Sequence, residues 1–218
     1  MTARAFRDRL SRRLEKADAP RLSSEQIEQA AAYVDLLRRW NEKINLTSLA
    51  LAPLTDDAID RLLVEPIAAV RHLTGVTGDW IDLGSGGGSP AIPLRIAGLE
   101  VPLTMVESKA RKVAFLREVT RELGLTGVAV ENERAEAFAL KRPASAALVT
   151  VRAVRLDAAF VQVAVELVKP GGVLATFSPT PSGRPLSGFE PPRVSHLIEG
   201  KPSYLALHSR PFHVEQTD

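Results

Sequence analysis

The stretch Asp82-Leu-Gly-Ser-Gly-Gly-Gly-Ser-Pro90 holds four glycines in nine residues, and it follows a short apolar run, "DWIDL". A helix-start pattern, "PAIPLRIAG", comes next, with Pro90 near its first turn and Gly98 after its end. A loop between a strand and a helix start turns backbone N–H groups and a helix N-terminus toward its ligand. Glycine in such a loop lets the ligand lie against the backbone. A second candidate is Glu107, which ends the apolar run "VPLTMVE", about 20 residues beyond the loop, where a carboxylate accepts hydrogen bonds from ribose hydroxyls. The other reading of Glu107 is an acid stabilised at a helix N-terminus by the dipole. Loop and acid together predict a nucleoside-containing ligand, a dinucleotide or another, without choosing between them.

These residues need a scaffold. From residue 79 onward apolar runs alternate with helical patterns. The runs are "DWIDL", "VPLTMVE", "GVAVE", "AALVTV" and "VLATFS". The helices are "SKARKVAFLREVTRELG", with Val113, Leu116, Thr120 and Leu123 inward, and "LDAAFVQVAVELVKPGG", which is expected to stop at its glycines. Alternation of this kind predicts an α/β fold with a mostly parallel sheet and helices on both faces. A Pro/Gly/Ser-rich surface loop spans 178–193, and "RVSHLIEG" and "SYLALHSR" read as a final strand pair. Before residue 79 the pattern is helical. Residues 3–17 carry a sparse apolar stripe. "SSEQIEQAAAYVDLLRRW" opens on a capping box, Ser23 to Gln26, with Ile27, Ala31, Val34 and Leu37 on one face. A third helical stretch, about 55–73, is expected to kink or restart at Pro66.

Composition narrows the chemistry. The chain has no cysteine, which excludes disulfides, thiolate metal sites and a cysteine nucleophile. No metal site is expected. A net charge of +2 does not announce a nucleic-acid binder, although Arg4, Arg7, Arg9, Arg12, Arg13, Lys16 and Arg21 form one basic cluster and Lys109, Arg111, Lys112, Arg117 and Arg121 another. No apolar run approaches the ~20 residues of a membrane span, and no apolar segment follows the basic start as in a signal peptide. The expectation is a cytoplasmic protein with no membrane partner.

The dinucleotide fingerprint G-x-G-x-x-G fails at Ser89, whereas D-x-G-x-G-x-G fits Asp82, Gly84, Gly86 and Gly88. The latter resembles the first motif of Rossmann-like S-adenosylmethionine (SAM) methyltransferases. On the acceptor side, "LVTVRAV" lacks the Asn/Asp-Pro-Pro-Tyr/Phe motif of amino-methylating enzymes, and pyrimidine C5 methylation normally needs the missing cysteine. An acceptor already nucleophilic at neutral pH remains. Guanine N7 has a free lone pair, so the burden is positioning. Arg152 is the candidate catalytic residue, touching O6, a phosphate or the cofactor.

The segments "LLRRWNEKINLTSL", "WIDLGSGGGSPAIPL", "VESKARKVAFLREVTRELGL", "ERAEAF" and "TVRAV" resemble, in order over roughly residues 30–175, the bacterial 16S ribosomal RNA guanine-N7 methyltransferases of the glucose-inhibited division protein B (GidB) family. "W-N-x-x-x-N-L-T" is the specific part. The resemblance implies a seven-stranded SAM-dependent methyltransferase domain, 76–218, behind a small N-terminal helical region, 1–75. It implies methylation of one guanine in the 530 loop of the small-subunit RNA, by a monomer. It places Gly84 and Ser89 against SAM, Glu107 and Ser108 at the ribose, and Ala135 and Glu136 beside the adenine. Arg152 falls between cofactor and acceptor, and Asn45 and Thr47 close the pocket. For the last two, helix capping and turn hydrogen bonds are the alternative. The chain departs from the family pattern at Ser89, where an apolar residue is usual. It departs again at Leu62, Glu65 and Pro66, where the family has His and Asp-Ser, and at "FSPTPSG" after the fifth strand. Altered acceptor-side residues leave three rivals open: another RNA site or small molecule, a SAM-binding protein without turnover, and an NAD(P) oxidoreductase, which lacks a Tyr-x-x-x-Lys here.

Overall fold

The computed structural model describes residues 2–153, 155–181 and 183–212. Seven strands form one sheet in the order β3-β2-β1-β4-β5-β7-β6. β1 (Asp79–Leu83), β2 (Leu103–Val106), β3 (Val128–Glu131), β4 (Ala146–Arg152) and β5 (Val168–Ser178) run parallel. β7 (Tyr204–Ser209) is antiparallel both to β5 and to β6 (Arg193–His196), the expected terminal pair. Strand order reverses at β1, where β2 lies on one side and β4 on the other. Open α/β sheets bind ligands at the carboxyl ends of their strands at such a point.

Side chains alternate between two cores, as strand geometry requires. Trp80, Leu103, Met105, Leu148 and Phe177 pack against α1 (Ala3–Lys16), α2 (Ser24–Asn41), α3 (Asp56–Ile59), α4 (Glu65–Ala69), α5 (Ala91–Ile96) and α6 (Ala110–Glu122). Ile81, Leu83, Val149, Val151 and Leu174 face the other way, toward α7 (Ala135–Lys141) and α8 (Ala158–Leu167). The N-terminal helices therefore share one continuous core with the sheet.

One local expectation is corrected. α8 ends at Leu167, and β5 begins at once. Gly171 and Gly172 lie where β4–β5 pairing jumps from Ala146↔Val168 to Leu148↔Val173, so they serve a strand irregularity rather than a helix stop. The third helical stretch does restart at Pro66: residues Asp60–Val64 form a π-helical turn, and Pro66 sits in the first turn of α4, where a missing N–H is tolerated.

Part of the N-terminal basic cluster is internal. Arg13 forms a two-pronged pair with the buried Asp60, and its NH1 lies 2.6 Å from Asp56 Oδ2. Arg13→Ala leaves the buried Asp60 with Lys201, 3.7 Å away, as its ion-pair partner among the described residues. We expect a loss of about 3 kcal/mol in urea unfolding, against less than ~0.5 kcal/mol for the exposed Arg12→Ala.

Candidate functional site

The site begins beneath the glycine loop. Asp82 and Thr150 are register partners on β1 and β4, so their side chains share a face. The Thr150 hydroxyl accepts from Trp80 Nε1 at 2.8 Å and donates to Asp82 Oδ1 at 2.5 Å. An indole only donates, so the direction of this chain is fixed. Asp82 Oδ2 has no hydrogen-bond partner, and burial pushes the Asp82 pKa up to about 6 against the pull of Thr150.

Four of the loop's own amides are already used. Gly84 and Ser85 N–H donate to Val106 O, Gly86 N–H to Glu107 Oε2 at 3.0 Å, and Gly88 N–H to Ser85 O. A pyrophosphate cradle needs such donors free; here a buried carboxylate lies below the loop and another beside it. Glu107 also accepts from Lys109 N–H at 2.9 Å, and Asn132 donates to the Glu107 and Ser108 carbonyls, which fixes the end of β2. Ser108 is exposed there, and Ala135 and the exposed Glu136 open α7 after β3. Residues named from the sequence thus line the carboxyl ends of β1, β2 and β3 in a row.

Close packing explains two of the glycines. At Gly88, φ is +88° and a Cβ would lie 2.3 Å from Ile92 Cδ1. At Gly87, a Cβ would meet Leu46 O at 3.2 Å and Leu37 Cδ1 at 3.3 Å. The lid over the loop is therefore the segment after α2. Tyr33, fully buried, donates its hydroxyl to Gly87 O at 2.7 Å. Asn41 Oδ1 accepts from Leu46 N–H and Thr47 N–H, and its amide donates to Thr47 O. Of the two residues singled out in this segment, Asn45 is exposed and Thr47 Oγ1 accepts from Leu49 N–H within the turn. Sequence reasoning passed over Asn41, although it stands in the same W-N-x-x-x-N-L-T motif, and Tyr33, whose spacing in α2 reads only as core.

Arg152 ends β4 on the same face as Thr150. Its NH1 donates to Arg61 O and, at 3.2 Å, to Ser89 Oγ; its NH2 donates to Glu65 Oε2. The guanidinium lies 5.1 Å from the centre of the Phe177 ring, a cation–π contact. Its carboxylate partner is Glu65. Glu65 had been marked only as a departure from a pattern. Around these groups a cleft of about 490 Å³ opens at the ends of β4 and β5. Ser89 Oγ in turn donates to Leu62 O at 3.1 Å. Among the described residues no cluster of His, Asp or Glu suits a metal, and no helix is long and apolar enough to cross a membrane.

Sheet order, acid-tipped β2 and amide-depleted glycine loop define a Rossmann-like methyltransferase fold. Solved structures agree on the fold. The SAM-dependent methyltransferase SibL superposes with a TM-score of 0.59 at 18% identity, covering 86% of this chain and 73% of that one. The [4+2]-cyclase SpnF reaches the same TM-score at 13% identity over 89% and 99%, so fold alone does not fix the reaction. The family model described as GidB, rRNA small subunit methyltransferase G, matches residues 26–178. A protein named ribosomal RNA small subunit methyltransferase G from Neisseria gonorrhoeae (strain NCCP11945) is 36% identical over 159 residues, 73% of each chain. Its namesake from Neisseria meningitidis serogroup A is 38% identical over 144 residues, and the match spans 66% of either protein. The chain belongs to the rRNA small subunit methyltransferase G (GidB) family.

The two asparagines of the lid segment are separable. Asn41→Ala strips the Leu46–Thr47 turn of three hydrogen bonds and is expected to cost about 1–3 kcal/mol in denaturant unfolding. Asn45→Ala, at an exposed position, is expected to stay within ~0.5 kcal/mol of the parent.

Proposed function

We propose that the protein transfers the methyl group of SAM to N7 of a guanine in the 530 loop of 16S ribosomal RNA, free or within the small subunit, and acts as a monomer. The observation that carries the cofactor choice is the loop: the amides of Gly84, Ser85, Gly86 and Gly88 are bonded within the protein, and Asp82 and Glu107 are buried beside it. Two carboxylates and few free donors disfavour a dinucleotide pyrophosphate and suit a ligand with a sulfonium and an ammonium. The unpartnered Asp82 Oδ2 fits the same requirement.

When bound, SAM supplies a methyl group activated by its sulfonium. Guanine N7 already carries a free lone pair, so no residue would have to remove a proton from the acceptor. The chain's task is then binding and orientation. In this reading Gly84, Gly86, Gly88 and Ser89 wrap the amino-acid end and Asp82 sets the field beneath it. Glu107 and Ser108 take the ribose hydroxyls, and Ala135 and Glu136 flank the adenine. Arg152 joins the two sides, because one of its nitrogens touches Ser89 of the cofactor loop and the other holds Glu65 in the acceptor cleft. Asn45 and Thr47 flank Leu46, which lies against Gly87, and so help close the pocket.

Several departures from the family pattern meet each other. Ser89 bonds the carbonyl of Leu62, and Glu65 bonds the arginine that bonds Ser89. Mutually satisfied replacements support a working site over one drifting toward binding without turnover.

Mass mapping of modified nucleotides in 16S RNA, from cells with and without the gene, tests the activity. One 7-methylguanosine is expected to disappear; an unchanged map overturns the reading. The cofactor assignment carries a pH signature. The raised Asp82 pKa means that the ligand-free protein holds a proton there below about pH 6. In the ligand-free state this ionisation opposes folding, so its contribution to stability falls as pH rises from about 3.9 toward 6. For a cationic cofactor the sign reverses. SAM affinity measured by calorimetry is expected to weaken as pH falls through about 6, and Asp82→Asn is expected to flatten that dependence.

A further inference from the structure

The cleft at the ends of β4 and β5 contains a carboxylate with acceptor capacity beyond the bond that Arg152 fills. Glu65 lines it with a side chain only 11% exposed, next to Arg61, Arg152, Ala153 and Phe177. Three contacts hold the Arg152 head group against Phe177: Arg61 O, Ser89 Oγ and Glu65. Arg152 is thus restrained before any substrate arrives. A carboxylate has about four acceptor sites, and Arg152 fills one of those on Glu65. The cleft therefore offers an incoming base an acceptor-only group on an apolar wall.

Resting on the proposed guanine-N7 activity, we propose that Glu65 is the residue that selects guanine, by accepting hydrogen bonds from N1–H and the N2 amino group of the base. Of the four RNA bases, guanine alone places two donors side by side on its Watson–Crick edge. Adenine and cytosine set a lone pair beside their amino group, which a carboxylate repels, and uracil flanks its single N–H with two carbonyls. Extruded bases are commonly read on this edge while they stack on an apolar or aromatic wall. Engaging this edge leaves N7, on the opposite side of the purine, open to the methyl donor.

The same contact favours the reaction itself. As N7 gains the methyl group the ring becomes cationic, N1–H and the amino group become stronger donors, and their bonds to Glu65 tighten. An interaction that strengthens toward the transition state raises turnover as well as selectivity. Glu65 also offsets the charge of Arg152, which would otherwise oppose a cationic product in a buried cleft. Burial pushes the Glu65 pKa up, and the charge of Arg152 opposes that shift.

The test uses small subunits reconstituted with 16S RNA in which the guanosine identified by mass mapping is replaced by inosine. Inosine keeps N7, O6 and N1–H and lacks only the N2 amino group. The intact protein is expected to methylate inosine about tenfold or more less efficiently in kcat/KM, the effect of one lost hydrogen bond to a charged group. Glu65→Gln is expected to lower transfer to guanosine and to bring the two substrates within about threefold of each other. Equal transfer to guanosine and inosine by the intact protein overturns the proposal without any variant. A Glu65→Gln protein that loses activity on both substrates in the same ratio overturns it too, since that is what a residue serving only to position Arg152 would do. Failure to methylate any guanosine refutes the underlying activity, and this reading with it.

Discussion

Pro66 has no N–H, and the helical turn around it cannot close its own hydrogen bonds. In an α-helix the Leu62 carbonyl would take the N–H of residue 66, which does not exist. The Arg61 carbonyl would take the N–H of Glu65, but in the π-helical turn that group bonds Asp60 O, and the next candidate is again the proline. Two carbonyls are left over in a buried place, where an unmet acceptor is costly. Ser89 Oγ takes one and Arg152 takes the other. The consequence is architectural. The segment between α3 and α4 is bonded to the glycine loop and to the tip of β4 at once, and Glu65, one residue before the proline, is carried into the cleft.

Charge is arranged in a line on the same face of the sheet. Asp82, Arg152 and Glu65 alternate in sign, and Tyr33 lies among them with its hydroxyl on the glycine loop. Burial pushes the Tyr33 pKa well above the ordinary phenol value, so it stays a neutral donor. Each buried charge is stabilised by a neighbour of opposite sign or by a fixed donor, the condition under which ions persist in an interior. Such packing also favours one geometry, because moving Arg152 would break bonds to three residues on two segments, the turn at 61–65 and the glycine loop.

The parts of this architecture that obey a short period were legible in the sequence. β1 through β4, the terminal β6–β7 pair and the glycine loop all follow from apolar runs and punctuation by Gly and Pro. So do Glu107 and the capping box at Ser23, which the structure closes from both sides. What could not be read depended on register or on distant partners. Thr150 is an ordinary strand threonine until Asp82 is known to stand opposite it. Asn41 and Asn45 are equivalent on paper, and only the course of the turn makes one of them the anchor. Pro66 marked the restart of a helix, but the π-helical turn before it, and the donors on two other elements that take its free carbonyls, were not visible in local propensity. Glu65 and Ser89 looked like isolated departures, and only their shared contacts with Arg152 and Leu62 make them one unit.

The chain has two tryptophans, and both are coupled to the site. Trp40 packs edge-on against Phe115 of α6, beneath the lid segment, at 5.9 Å between ring centres. Trp80 is the head of the hydrogen-bonded chain that ends on Asp82, with its indole N–H aligned along that chain. Indole emission responds to the electric field along the ring, so a change in the charge of Asp82 would alter the light that Trp80 emits. The fold carries its own optical probe, one whose colour reports the state of the carboxylate beneath the glycine loop.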